Sequence, residues 1–175
     1  MAATITERTV HALEIVSEEV IAAPVAVVFE AMLEQLGPEN EAPGTGRIPM
    51  VLEAWPGGRW YRDLGDGAGH FWGTVQAIKA PALLEVCGPL FMSYPAVSNV
   101  QFRLTEEGGG TRLRFVHRAM GQIAHDPQLV QGWGSIEGGW EHLIARVRVA
   151  AVERAHAAHG TAAPVGAAHA GSGSA

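Results

Sequence analysis

Apolar residues recur at the three- and four-residue spacing of an amphipathic helix in two stretches of the chain. The first begins with Pro24 as the expected N1 residue and ends near Gly37. Its apolar stripe comprises Val25, Val28, Phe29, Met32, Leu33 and Leu36. The second follows Asp126 and Pro127, an N-cap acceptor and an N1 proline, and predicts a long terminal helix. Its stripe comprises Trp133, Ile136, Trp140, Leu143, Ile144, Val147 and Ala151.

Other segments alternate apolar and polar residues, as strands with one buried face do. Residues 11–23 predict a first strand that precedes the first helix, and residues 111–120 predict a last strand in which an apolar face containing His117 alternates with an arginine-rich face. Further strand-like runs are separated by turn residues. They cover residues 47–55, 59–64, 70–78, 83–88 and 97–105. Their regular spacing predicts an antiparallel meander.

The predicted order is a strand, a helix, a six-stranded meander and a long helix. Because the strands after the first helix are joined by connections too short for crossover helices, this order predicts an α+β fold. We expect the long helix to pack on the apolar face of the sheet. The predicted domain spans residues 11–155, preceded by an extension over residues 1–10. The Ala-, Gly- and His-rich tail over residues 156–175 has no apolar periodicity and is predicted to be disordered.

Composition narrows the possible partners. The chain has 175 residues, of which 47% are hydrophobic, enough for one domain with a sizeable core. A formal charge of −6 argues against nucleic acid as a partner. No apolar run is long enough to span a bilayer and no secretory signal is visible, so a cytoplasmic location is expected. Cys87, the single cysteine, is predicted to be a small buried hydrophobe.

Four local sequences, in this order along the chain, carry a resemblance to a known family. They are IAAPVAVVFEAM, LEAWPGGRWYRD, GTRLRFVHRAM and the Gly139-Trp140 pair. Over roughly residues 12–151 the chain resembles the START-like, or SRPBCC, superfamily, and in particular the branch related to the C-terminal domain of the activator of Hsp90 ATPase. The resemblance implies a helix-grip fold, in which a long helix closes a cavity over a curved sheet. Members of the superfamily bind hydrophobic ligands, cyclise polyketides or have no known activity, and the resemblance implies no shared catalytic residue.

The expected cavity draws on aromatic residues from the early hairpins, the last strands and the terminal helix. Trp55, Trp60 and Trp72 belong to the early hairpins and face Trp133 and Trp140 of the helix; these rings either line a pocket or fill the core. The residues predicted to line the cavity are Trp55, Trp60, Arg62, Phe102, Phe115, His117, Trp133, Ile136 and Trp140.

Two polar features have a functional and a structural interpretation. His117 either orients a ligand carbonyl or acts as a base in the cavity, or it is a core histidine with an ordinary hydrogen-bond partner. Glu53 and Arg62 flank the Pro56-Gly57-Gly58 turn and form either a polar ligand contact or a solvated cross-strand pair.

The remaining motifs do not indicate a dinucleotide, metal or nucleophile site. Gly132, Gly134, Gly138 and Gly139 weaken a helix, and their spacing does not fit a dinucleotide loop, so close helix–sheet approach or a kink that opens the pocket is the better interpretation. Histidines 156, 159 and 169 lie in the tail, where metal binding would be adventitious. No zinc-hydrolase or serine-nucleophile motif is visible, and no cofactor is expected.

The sequence therefore favours a non-catalytic domain that binds a small hydrophobic or aromatic molecule. One alternative is a polyketide cyclase- or dehydratase-like enzyme that uses the same cavity, with His117 moving protons. Another is a ligand-free dimerisation or co-chaperone-like interaction module, and a homodimer is among the partners considered.

Overall fold

The computed structural model describes residues 3, 5–7, 9–90, 95–122 and 127–160, with residues 127–135 and 159–160 described by their backbone alone. Helix α1 is Val25–Leu36 and helix α2 is Pro127–Gly160. The strands are β1 His11–Ile21, β2 Glu41–Ala42, β3 Gly46–Arg47, β4 Val51–Leu52, β5 Arg59–Gly65, β6 Ala68–Lys79, β7 Leu83–Gly88, β8 Ala96–Glu107 and β9 Gly110–Gly121.

Seven of these strands form one antiparallel sheet in the order β1-β9-β8-β7-β6-β5-β4. From β4 to β9 each strand pairs with the next along the chain, which confirms the meander. The first strand closes the other end of the sheet, where β1 pairs with β9 from His11 opposite Gly121 to Ile21 opposite Thr111. β2 and β3 form a separate short hairpin. The architecture is the predicted α+β helix-grip fold.

One face of the sheet is apolar and is covered by both helices. Alternate residues of β8 and β9, including Val100, Phe102, Leu113 and Phe115, point into one core with the apolar stripes of α1 and α2. The other face carries cross-strand ion pairs, such as Arg118 with Glu14 of β1 at 2.7 Å. The predicted division into an apolar face and a wet, charged face is therefore confirmed.

Arginines from the C-terminal half of α2 attach this helix to the rest of the domain. Arg146 Nε donates to Gln35 Oε1 of α1 at 2.7 Å, and its Nη2 donates to the carbonyl of Glu39 at 3.0 Å. Arg148 pairs with Glu19 of β1, and Arg154 pairs with Glu34 of α1. These side chains therefore hold α2 to both β1 and α1, a role that their spacing along the helix did not show.

Several boundaries differ from prediction. The strand expected over residues 47–55 pairs in the main sheet over Val51–Leu52 alone, because Glu53 begins a tight turn in which Trp55 N donates to the Glu53 carbonyl at 2.8 Å. Pro24 is the N-cap of α1 rather than its first helical residue. α2 continues to Gly160, past the expected boundary at Ala155, although Ala155 is its last buried side chain among those described.

Cys87 was predicted to be buried, and that is wrong. The side chain lies half-buried on the charged face of β7, where Sγ donates to Gln76 Oε1 at 2.6 Å and accepts from Asn99 Nδ2 at 3.4 Å. The flanking residues Leu84 and Val86 point into the core instead. Within the described residues, no helix combines the length and apolar character needed to cross a membrane.

Candidate functional site: a cavity beneath the terminal helix

A cavity of about 480 Å³ lies between α2, the inner face of the sheet and the β2–β3 hairpin. This volume is in the range of small-molecule sites. Aromatic and aliphatic side chains form most of its wall, two glycines of α2 contribute backbone, and three polar side chains face it. The lining residues are Asn40, Glu41, Ala42, Pro43, Ile48, Trp60, Trp72, Leu90, His117, Ile136, Gly138, Gly139, Trp140 and Leu143.

Trp60 forms a fixed part of the wall. It is 2% exposed, and its Nε1 donates to the carbonyl of Leu36 at 2.8 Å. This carbonyl lies at the end of α1, where the last turn leaves acceptors without a helical partner. The Trp72 ring meets Trp60 edge to face, with ring centroids 5.1 Å apart. The hydrogen bond and the ring contact together hold both indoles at the cavity.

Trp140 links α2 to the last strand. Its Nε1 donates to His117 Nδ1 at 3.1 Å, and its ring packs against Phe115 at 4.7 Å and Phe102 at 6.2 Å between centroids. Phe102 and Phe115 are almost fully buried and are not among the lining residues. They support Trp140 from within the core instead of facing the cavity, so their predicted place in its wall is wrong.

His117 is held neutral by its surroundings. The side chain is 1% exposed, and burial lowers the pKa of the imidazole from its ordinary value of 6.5 to about 4. Because Nδ1 accepts the Trp140 indole hydrogen, the hydrogen of the neutral ring resides on Nε2. At neutral pH His117 therefore carries no charge.

Glu41 is the acidic group at the edge of the cavity. Its carboxylate pairs with Arg146, and its Oε1 lies 3.3 Å from His142 Nε2. The neighbouring Asn40 is buried, and its Nδ2 donates to the carbonyl of Gln35 at 3.0 Å. These contacts join the β2–β3 hairpin to both helices and fix one side of the cavity.

Trp55 and Arg62 were expected in the cavity wall, and the structure places both elsewhere. Trp55 is 55% exposed beyond the tight turn. Arg62 pairs with His70 across β5 and β6 and is not a lining residue. Because Leu52 lies opposite Trp60, Arg59 rather than Arg62 faces Glu53 across the turn.

The predicted partner of Glu53 was therefore also wrong. Glu53 Oε1 accepts from Arg59 Nη2 at 2.6 Å, and Oε2 accepts from the Arg59 backbone N–H at 2.9 Å. These hydrogen bonds lower the pKa of Glu53 to about 2. The pair closes the hairpin, and neither residue is in the described lining of the cavity.

The helical glycines are explained by the cavity rather than by close packing. Among the described residues, a Cβ on Gly138 or Gly139 would meet no atom within 4 Å outside the neighbouring helix backbone, which contradicts the expected close approach to the sheet. Both residues line the cavity. Gly132, Trp133 and Gly134 are described by their backbone alone, and His169 of the tail lies outside the described residues.

Some lining residues were not predicted. Asn40, Glu41, Ala42 and Pro43 belong to the connection between the first helix and the strand predicted from residue 47, and Ile48 belongs to that predicted strand. The connection has no apolar periodicity, so no pattern indicated that it returns to cover the cavity. Trp72 had been noted as an aromatic residue but was not among the predicted lining residues.

The fold and the cavity together define a START-like domain in which a long helix closes a pocket over an antiparallel sheet. The chain belongs to the family of activator of Hsp90 ATPase homolog 1-like proteins, whose sequence profile matches residues 22–150. This range confirms the resemblance noted in the sequence. No curated protein matches the chain.

Solved structures share the fold. A putative uncharacterized protein from Rhizobium leguminosarum is 20% identical, with a TM-score of 0.58 over 81% of this chain and 98% of that one. A protein of unknown function from Staphylococcus aureus is 12% identical, with a TM-score of 0.61 over 84% and 98%. The di-domain ARO/CYC StfQ, from the steffimycin biosynthetic pathway, is 14% identical, with a TM-score of 0.58 over 83% of this chain and 52% of that one. At these identities the likeness shows the fold alone.

Proposed function

We propose that the protein is a small-molecule binding domain whose cavity holds a hydrophobic or aromatic ligand beneath α2. The observation that carries this proposal is the cavity of about 480 Å³ walled by Trp60, Trp72 and Trp140. Burial of a ligand's apolar surface at about 25 cal/mol per Å² is sufficient for micromolar affinity without a charged contact.

The test is a titration with Nile red, a neutral dye whose fluorescence rises in apolar surroundings, together with native mass spectrometry of freshly purified protein. We expect saturable dye binding. Ile136→Trp places a large ring in the cavity from α2 and should weaken binding at least about tenfold, since it occupies the space the dye needs. Val149→Trp is the matched control, because Val149 is exposed on the same helix. Absence of dye uptake and of any bound mass, or equal affinity in the two variants, would contradict the proposal.

The second candidate is a polyketide cyclase-like enzyme, which the position of His117 in the cavity wall favours. An imidazole whose pKa is about 4 is a weak base and a poor match for proton abstraction at neutral pH. This low pKa supports binding over proton transfer. The cavity also supports a ligand-binding role over a ligand-free interaction module, and dimerisation stays a prediction.

A further inference from the structure

Arg62 differs from the other arginines that the structure describes. Its side chain is half-buried, yet it makes no hydrogen bond or ion pair with any described residue. Each of the other described arginines has an acceptor. Arg114 donates to Glu18 at 2.9 Å, for example, and the exposed Arg103 donates to Gln101 at 2.7 Å. A guanidinium that has lost part of its hydration without gaining an acceptor is suited to an anion supplied from outside the chain.

Arg62 adjoins the cavity on the inner face of the sheet. On β5 the guanidinium of Arg59 lies over the Tyr61 ring, 4.8 Å from its centroid, so these two side chains share the outer face. Strand alternation then puts Arg62 on the same face as Trp60, which lines the cavity. Two residues along a strand span about 7 Å, which is comparable to the length of an extended arginine side chain. Arg62 therefore lies one strand step from the cavity wall.

The surroundings of Arg62 leave its charge available. His70, which is also half-buried, lies opposite Arg62 on β6. Asp63 is exposed, falls on the other face by alternation, and accepts a backbone N–H of the following turn at 2.8 Å. Of the described lining residues none is Lys or Arg, and the carboxylate of Glu41 pairs with Arg146. Within the described part of the chain, Arg62 is therefore the cation beside the cavity that a ligand can engage.

We propose that Arg62 binds a carboxylate of the ligand whose apolar body occupies the cavity. This inference rests on the proposed function and names the class of ligand, an amphipathic carboxylic acid with a hydrophobic or aromatic body. One guanidinium supplies one positive charge, and its planar fork matches a carboxylate through two parallel hydrogen bonds. Arg62 is then a residue that determines specificity, whereas Trp60, Trp72 and Trp140 form the wall that holds the apolar body.

Two probes with the same apolar body test this inference by equilibrium dialysis at pH 7. 4-(2-Naphthyl)butanoate carries a carboxylate on a flexible tether, which allows it to reach a group beside the cavity. 4-(2-Naphthyl)butanamide replaces the carboxylate with a neutral amide of nearly the same size. We expect the acid to bind about tenfold more tightly than the amide, as a hydrogen bond to a charged group provides.

Arg62→Gln removes the charge but keeps a polar side chain, so it should abolish the preference for the acid. Arg103→Gln is the matched control, because it changes the net charge of the protein by the same amount at an exposed position on β8. This control should keep the preference. Because the readout is the ratio of two affinities within one protein, it does not depend on a general change in affinity, and the wild-type ratio alone tests the need for a carboxylate.

The other outcomes overturn the inference and separate it from the proposed function. If the wild type binds the amide as tightly as the acid, the carboxylate requirement fails while the apolar cavity remains a binding site. A preference that survives in Arg62→Gln would remove the role of Arg62, and its loss in both variants would assign it to net charge. If neither probe binds and Nile red does, the inference fails alone, whereas absence of binding by all three molecules contradicts the proposed function as well.

Discussion

At the residue scale, His117 shows how burial changes what a side chain can do. Its neighbours in the wall are aromatic, and the Trp140 indole donates to its Nδ1, so the neutral form is favoured over the imidazolium. The same ring on an exposed strand face would titrate near pH 6.5. Its position on the inner face of β9, opposite Val100 and Ile15, therefore keeps His117 buried and neutral.

This shift predicts a pH dependence of stability. The pKa of His117 is about 4 in the folded protein against 6.5 ordinarily, so as pH falls through this window the unfolded chain takes up the proton first and the folded state loses stability. We expect the free energy of unfolding to be about 2 kcal/mol lower at pH 5 than at pH 7 from this residue. Urea titrations at both pH values measure it.

His117→Asn is the control for this prediction, because its amide places a polar atom at the position of Nδ1 and does not titrate. The variant should lose most of the difference between pH 5 and pH 7, although it is less stable overall. An unchanged difference in the variant would show that other groups cause the pH dependence.

At the scale of elements, α2 both packs against the rest of the domain and borders the cavity. Its buried stripe from Trp140 to Ala155 and its arginines hold it to the sheet and to α1, whereas Gly138 and Gly139 weaken the helix where it passes over the cavity. A helical glycine costs about 1 kcal/mol relative to alanine. Since no residue in the described part of the chain occupies the space that an alanine methyl would fill, the open space itself is the feature that these glycines provide.

Gly138→Ala and Gly139→Ala should therefore move stability and binding in opposite directions. Each substitution is expected to raise the free energy of unfolding by about 1 kcal/mol and to weaken binding of Nile red, because the methyl group projects into open space at the cavity. Chemical denaturation and dye titration measure the two effects.

Val149→Ala provides the comparison, since this exposed substitution also improves helix propensity but lies away from the cavity wall. It should leave affinity unchanged. If the glycine variants were less stable than the wild type, the glycines would be needed for packing instead.

At the scale of the whole molecule, Arg146 joins three parts that are far apart in sequence. From α2 it binds Gln35 of α1, the Glu39 carbonyl, and Glu41 of the β2–β3 hairpin. The hairpin and the loop before it supply Asn40, Glu41 and Ala42 to the cavity wall. The Arg146 guanidinium therefore connects these three parts of the chain at one side of the cavity.

Arg146→Ala should lower the free energy of unfolding by about 1 to 3 kcal/mol, because partly buried acceptors lose a charged donor. Amide hydrogen exchange should also become faster in β2 and β3 than in β8 and β9. Arg148→Ala is the matched control, since Arg148 makes a more exposed pair with Glu19, and such pairs contribute about 0 to 1 kcal/mol. Equal effects of the two variants on exchange in the hairpin would contradict this role for Arg146.

The sequence by itself determined the two helices, the meander and the apolar face, because period 3.6 and period 2 are local properties of the chain. Stripes such as Val28, Phe29 and Met32 therefore appear in the core as predicted. The same patterns predicted that four residues lie near one another, because they belong to the inner face of the sheet and the facing side of α2. These residues are Trp60, His117, Ile136 and Trp140.

Only the tertiary structure decided which of these residues face empty space. Phe102 and Phe115 share the apolar face with His117, yet Trp140 covers them. The turn at Glu53 set the register that pairs Glu53 with Arg59, and it left the Trp55 side chain exposed. The loop before β2 contributes to the cavity wall although its sequence has no apolar periodicity. Which residues line the cavity depends on strand register and on where loops from other parts of the chain pack. Both depend on contacts between residues far apart in sequence, so a local pattern does not predict them.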